Sequence, residues 1–340
     1  NIIHIFLLSS YFLLNKKTNT IYNYEYKSNY LTIYNLNKLL LKNSNDFNLF
    51  NFNENKFDFT LFYKEFERRF PNTKKPNSQF LEWFIGFFEG DGSLILGDKS
   101  DLAIVVTQSN KDINILNIIK TNLNVGNIMI QSKKNNTYRW IVKRRNDIYL
   151  LSLLFNGNLV LPTKAIRFNI FISKLNYKLI KNNENLIIFR DKLVIPTLND
   201  AWLSGFTDAE GCFTCSILNN NTINYRLRYI ISQKYDINKY VLEHILSEFN
   251  KLNKSIMIDS NNIGSIVSHS KKNNWELRIN GLKNVIIIFK YFDKYPLKSK
   301  KLDSYLIFKD ITTKIQNKDH LDPEKRKILI ELSKKINNGK

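Results

Sequence analysis

Asp91 and Glu210 are the residues of this chain whose type and spacing could do chemistry, because each closes one copy of a duplicated pattern. The first copy, Trp83 to Leu94, reads WFIGFFEGDGSL, and the second, Trp202 to Phe213, reads WLSGFTDAEGCF. Trp83 aligns with Trp202, Gly86 with Gly205, Glu89 with Asp208, Asp91 with Glu210 and Gly92 with Gly211, at a constant offset of 119 positions. A pattern repeated in this way implies two similar half-domains related by a pseudo-twofold axis. If each acid ends a helix and the two helices lie parallel, the carboxylates emerge side by side. They then repel each other, and the partial negative charge of the helix ends adds to the repulsion, unless a cation lies between them. A hard divalent cation with oxygen ligands, Mg²⁺ (or Mn²⁺), suits such a pair, with the backbone carbonyls of Gly90 and Ala209 as further ligands. The bland alternative is two solvated acids at helix ends.

The elements that must position these acids are legible around them. Nearly every position before each acid is apolar, which fits a helix buried on most sides. Gly86 and Gly90 in one copy, and Gly205 and Ala209 in the other, are small and four apart, a spacing that lets two helix backbones approach closely. Ser78 is the expected N-cap of the first helix, and Gly92 and Gly211 are the expected stops. Beyond each copy the order repeats. In the first half, strands at 93–97, 102–108, 127–132 and 137–145 accompany helices at 112–123, 148–155 and 164–179. In the second, strands at 212–218, 223–233, 255–259, 263–270 and 275–280 accompany helices at 237–249, 285–292 and 300–314. Each half therefore reads αββαββα, an α+β fold.

FIGFFEGDG and LSGFTDAEG resemble the two motif copies of a single-chain LAGLIDADG homing endonuclease, over about residues 78–313. The resemblance implies two pseudo-symmetric half-domains packed through paired motif helices, with Gly86, Gly90, Gly205 and Ala209 at the interface and the sheets forming a DNA-binding saddle. It implies a monomer that cuts both strands of a long pseudo-palindromic or asymmetric duplex site across the minor groove, leaving short 3′ overhangs and promoting intron mobility. Phosphodiester hydrolysis needs a nucleophilic water, charge neutralisation and a stabilised leaving oxygen, which metals held between two carboxylates can supply. Asp91 and Glu210 would each serve one scissile phosphate. By position, Lys164 and Lys301 match the family's lysine, with Lys300 left open by the KSKK register, and Gln108 and Gln233 are candidates for the water network. Members are commonly encoded in introns of fungal organelle genomes, so a mitochondrial, organelle-encoded origin is expected. The same fold also serves as a group I intron RNA maturase, so intron RNA is an alternative partner, and a non-catalytic nucleic-acid-binding derivative is a third reading.

The rest of the chain agrees with a polyanionic partner. The 340 residues carry a formal net charge of +21, and a surplus that large points to nucleic acid. Strand alternation sets Thr214, Ser216, Arg226 and Arg228 opposite Phe213, Leu227 and Tyr229, and Arg139 and Lys143 opposite Trp140 and Val142. A sheet with one apolar and one basic face can present the latter to the major groove. The expected DNA contacts are Ser93, Ile95, Lys99, Arg139, Lys143, Thr214, Ser216, Arg226, Arg228, Lys234 and Arg278, with Lys133, Lys134, Lys271 and Lys272 at hairpin turns facing phosphates. Cys212 and Cys215 form a CxxC without the second pair a zinc site needs, and the histidines show no paired spacing.

The expected organisation is a low-complexity extension over 1–76, loose in part and of the kind left by a fused upstream reading frame, half-domain 1 over 77–182, a linker over 183–199, half-domain 2 over 200–318 and a helical tail over 319–340. The apolar run at 2–14 is too short for a membrane span, and no membrane partner is expected.

Overall fold

A computed structural model describes residues 56–97, 101–218, 224–256, 262–269 and 273–336. Two helices form its centre: α2 (Ser78–Asp91), and α6 (Trp202–Glu210), between which lie the other elements of half one. Asn77, not Ser78, caps α2: its side chain accepts from the Phe80 N–H at 2.7 Å. Both helices end where the sequence places a glycine, and Gly92 and Gly211 take extended backbone that leads directly into a strand. The helices run parallel and in register. A Cβ on Gly86 would stand 2.1 Å from the Trp202 carbonyl oxygen, and one on Gly205 would stand 1.8 Å from the Trp83 carbonyl oxygen. Neither position admits a larger residue, because partner backbone occupies the space.

Each half follows the same path. In half one, β1 (Gly92–Leu96) and β2 (Leu102–Ser109) lead to α3 (Ile113–Leu123), β3 (Asn127–Ser132), β4 (Thr137–Val142), α4 (Arg145–Phe155) and α5 (Pro162–Lys181). In half two, β5 (Gly211–Ile217) and β6 (Tyr225–Lys234) lead to α7 (Lys239–Ile256), β7 (Gly264–Ser268), β8 (Asn274–Asn280), α8 (Leu282–Lys294) and α9 (Lys301–Gln316). The antiparallel sheets have the matching orders β1-β2-β4-β3 and β5-β6-β8-β7. Alternation works as expected in both. Ile104, Val106, Trp140 and Val142 in half one, and Phe213, Leu227, Tyr229 and Ile231 in half two, are buried against the helices. One continuous apolar core joins the halves through α2 and α6. Each fully buried aromatic there contributes roughly 1.5–3 kcal/mol.

Within the extension expected over 1–76, α1 (Thr60–Arg69) buries Phe62 and Phe66 completely in the half-one core, and Asp58 pairs with Arg190 of the inter-half connection at 2.9 Å. Residues 1–55 lie outside the described residues. The strand expected at 255–259 begins as helix, since Ser255 and Ile256 finish α7; residues 257–259 are outside the described residues. The strand expected to reach 145 stops at Val142, and Arg145 already begins α4. The C-terminal helix α10 (Pro323–Lys335) is capped by Asp322 and packs on α9 and β5, burying Leu329. No helix among the described residues is long and apolar enough to cross a membrane.

Gly205→Ala should cost about 3 kcal/mol or more, because the added methyl must force two helix backbones apart. Gly281→Ala, at φ +87° with open space around it, should cost only about 1–2 kcal/mol of backbone strain. Urea denaturation checks both, and equal losses would show that the helices are not in tight contact.

Candidate active site

The in-register packing of α2 and α6 brings Asp91 and Glu210 to the same end of the helix pair. Burial raises the pKa of both carboxyls above the ordinary range, and Asp91 raises that of Glu210 further, as two like charges in one site must. Gln108 Nε2 donates to Asp91 Oδ2 at 2.6 Å. Gln233, its counterpart on β6, turns away: its Oε1 accepts from Asn238 at 3.2 Å. Only half one therefore seats a glutamine on its acid.

Two largely buried lysines flank the acids. Lys164 Nζ donates to the Gly92 carbonyl at 2.7 Å. Lys301 Nζ donates to the Ala209 carbonyl at 2.8 Å and to Thr207 at 3.2 Å. Burial pulls the pKa of each ammonium down, and the nearby acids, Glu89 and Glu210 for Lys164 and Asp91, Asp208 and Glu210 for Lys301, pull it back up. The geometry also resolves the KSKK register. Lys300 is drawn off to Asp112, whose Oδ1 accepts its N–H at 2.8 Å, while Lys301 faces the acids. The Ala209 carbonyl expected as a ligand accepts from Lys301, and a carbonyl oxygen has a second lone pair to offer a cation. Among the described residues no group of three or more His, Cys, Asp or Glu could hold a metal. Two carboxylates, with the remaining positions left to water or substrate oxygens, suit Mg²⁺, which keeps several waters, better than an all-protein cage would.

Glu89 and Asp208, two residues before Asp91 and Glu210, hold backbone of the neighbouring segments. Glu89 Oε1 accepts from Val160 and Leu161 N–H at 2.9 and 2.7 Å, just before α5, which carries Lys164. Asp208 accepts from Lys298 and Ser299 N–H at 2.8 and 3.0 Å, just before α9, which carries Lys301. Each acid also takes an indole N–H from the other half: Trp202 to Glu89 at 2.7 Å and Trp83 to Asp208 at 2.8 Å. A second crossed pair braces the lysines. Asp112 bonds to Lys300, and Asn238 exchanges hydrogen bonds with Thr163 at 3.0–3.2 Å. The readable signal for the tryptophans was that Trp and acid stand six apart in both copies; Asp112 and Asn238 carry no such mark.

The outer faces of the sheets bear the expected surface residues. Ser93, Ile95, Lys133, Lys134, Lys143, Ser216, Arg226 and Lys234 are exposed, and Arg139, Thr214, Arg228 and Arg278 are half-buried. Lys143 lies just beyond β4 rather than within it. Lys99, Lys271 and Lys272 lie outside the described residues. Cys212 and Cys215 face opposite sides of β5, and burial pushes the Cys215 thiol up to about 12.

The profile of the family described as LAGLIDADG endonuclease matches residues 84–175 and 203–312, so both motif copies and most of both halves fall within it. The chain belongs to the LAGLIDADG endonuclease family. It is 35% identical over 273 residues to a probable intron-encoded endonuclease 4 of Neurospora crassa, covering 77% of this chain and 45% of that relative. It is 22% identical over 270 residues to the intron-encoded DNA endonuclease aI3 of Saccharomyces cerevisiae, covering 69% of this chain and 63% of that one. The chain thus spans about half the length of the first of these relatives. Among solved structures it resembles the LAGLIDADG meganuclease I-AabMI bound to uncleaved DNA, with a TM-score of 0.60 at 23% identity, covering 76% of this chain and 99% of that one. It also resembles the meganuclease I-CpaMI bound to uncleaved DNA, with a TM-score of 0.61 at 20% identity, covering 76% and 99%. These likenesses establish the LAGLIDADG fold, two pseudo-symmetric α+β halves forming a saddle.

A half-buried acid on this helix pair makes stability depend on pH. Glu82, on α2, accepts from the Ala201 N–H at 2.9 Å, and burial raises its carboxyl to about 7 from 4.5. A proton held more tightly in the folded state stabilises the fold below the unfolded value, and that contribution is lost as pH rises to the folded one. Glu82→Gln keeps an oxygen for Ala201 and has no proton to lose. The stability of the natural chain relative to this variant should fall between pH 4.5 and 7 in urea denaturation, and a difference that rises over that window contradicts the assignment.

Proposed function

We propose that the chain is a site-specific DNA endonuclease, encoded within an organellar intron, that hydrolyses both strands of its target duplex. The observation that carries this reading is the arrival of one carboxylate from each half at the same end of the helix pair, close enough to act on each other and on both Lys164 and Lys301, beside two sheets whose outer faces carry polar and basic side chains together with an apolar patch on half one. Both carboxylates come from one chain, so a monomer suffices. Asp91 and Glu210 would hold a hard divalent cation, Mg²⁺ or Mn²⁺. Such an ion, when bound, supplies charge neutralisation on the phosphate and lowers the pKa of a coordinated water.

The remaining work falls to the chain's own side chains. Lys164 and Lys301 bring positive charge to the place where a phosphate oxygen gains negative charge, in a setting where burial strengthens that attraction. Gln108, bonded to Asp91, can orient a water on the half-one side. The half-two side lacks that contact, and Glu210 replaces Asp91 there, so the two strands meet unlike groups. The rim lysines Lys133, Lys134 and Lys234 would contact phosphates and set register. The names of the relatives speak of endonucleases and not of splicing, which favours cleavage over the maturase reading.

Purified chain should linearise a plasmid carrying the uninterrupted host-gene sequence in Mg²⁺ and not in EDTA. Glu210→Gln should slow cleavage about 100-fold or more, the loss of several kcal/mol of charge stabilisation, with duplex binding in gel shifts nearly unchanged. Undiminished cleavage by the variant would overturn the site. Tight binding of intron RNA without any cutting would favour the maturase.

A further inference from the structure

The ladder registers allow the two outer faces to be compared position by position. Gly92 pairs with Val106 and Gly211 with Ile231, which fixes the correspondence of the first two strands. Ile95, opposite Ala103, then corresponds to Thr214, opposite Arg228. Ile141, opposite Val105, corresponds to Arg278, opposite Ile230. Arg139 corresponds to Glu276, and Met129 to Val267. At three of these places the halves differ in kind, with Ile95, Ala103 and Ile141 standing where Thr214, Arg228 and Arg278 stand; Met129 and Val267 are both apolar, and the one guanidinium among these half-one positions, Arg139, donates to Met129 Sδ at 3.4 Å.

On half one, Ala103, Val105 and Ile141 form a small apolar cluster of their own on the outer face. Ile95 and Met129, each 42% exposed, rise on either side of it. On half two, Arg226, Arg228 and Arg278 converge. Their mutual repulsion, after desolvation, weakens the hold of Arg228 on its proton. Arg278 is satisfied by Glu276 at 2.7 Å through its Nε. The side chains of Arg226 and Arg228 have no hydrogen bond or ion pair with the described residues. Arg228 sits on an inner strand between Thr214 and Asn280, in the middle of the sheet and not at a hairpin turn. A cation at a turn meets phosphates, whereas one in mid-sheet meets the groove floor.

In the major groove, guanine offers the two acceptors O6 and N7 that a guanidinium grips, and thymine offers a methyl group that takes apolar contact. We propose that the two halves read different bases: Arg226 and Arg228 read guanines in one half of the target, and Ile95 and Met129 read thymine methyls in an A·T-rich other half. This rests on the endonuclease reading and adds the base chemistry of its substrate. The target is then asymmetric because the saddle is.

The test is selection of duplexes from a randomised library by the full chain in EDTA, where binding proceeds without cutting. The bound pool should converge on a site with guanines concentrated in one half and thymines in the other. Arg228→Gln should shift one guanine position toward adenine by about 10-fold or more, since glutamine pairs with adenine N6 and N7, and leave the other half's preferences unchanged. Ile95→Arg should create a new guanine preference in the A·T-rich half. A site with guanines shared equally between halves overturns the proposal and leaves the endonuclease reading standing. So does an Arg228→Gln variant that weakens binding to every sequence alike, which marks a phosphate contact. A pool no different from the input overturns both.

Discussion

The structure depends on the close, in-register approach of two short helices. Gly86 and Gly205 let each backbone rest against the other's carbonyl oxygens, and that separation is what allows Trp83 and Trp202 to reach across. Each indole N–H ends on the buried acid of the opposite half. A buried carboxylate without donors would be costly, so Glu89 and Asp208 tolerate their positions only while the partner helix is present. The same two acids hold the backbone just before α5 and α9. The helix interface and the placement of the two lysines are therefore one hydrogen-bonded unit.

Much of this was legible in the chain. The repeated motif, the small residues four apart and the acid before each glycine carry helix, interface and carboxylate pair in their spacing, because a helix fixes which residues share a face. Strand alternation likewise separated Trp140 and Leu227 from Arg139 and Arg228. What could not be read was contact between distant segments. Nothing in the sequence near Gln233 shows that Asn238 will take its oxygen, and nothing in KSKK says that Asp112, from the other half, will claim Lys300 and leave Lys301 for the site. The packing of the stretch before Pro71 is not visible in the sequence for another reason. Its Asn- and Lys-rich surroundings look unable to form a core, yet Phe62 and Phe66 need only one groove beside α4 to be buried.

Pseudo-symmetry here is structural rather than chemical. Strand order, helix order and the crossed tryptophan bonds match between halves, while the groups facing a substrate do not. Asp91 stands against Glu210, Gln108 is bonded to its acid where Gln233 bonds to Asn238 instead, and Ala103 and Ile141 stand on one saddle face where Arg228 and Arg278 stand on the other. Packing constrains the first set, since a change at a helix contact disturbs both halves at once. The second set faces outward, and each half can differ there without cost to the fold.

The central claim is that one cation site is shared by a carboxylate from each half. A crystal structure of the chain with a bound duplex and Mn²⁺, phased to show anomalous scattering from the metal, tests it most directly. The account predicts metal density in contact with both Asp91 and Glu210, at the point where α2 and α6 end. Metal bound elsewhere, or the two carboxylates turned to separate solvent-filled spaces, would contradict it.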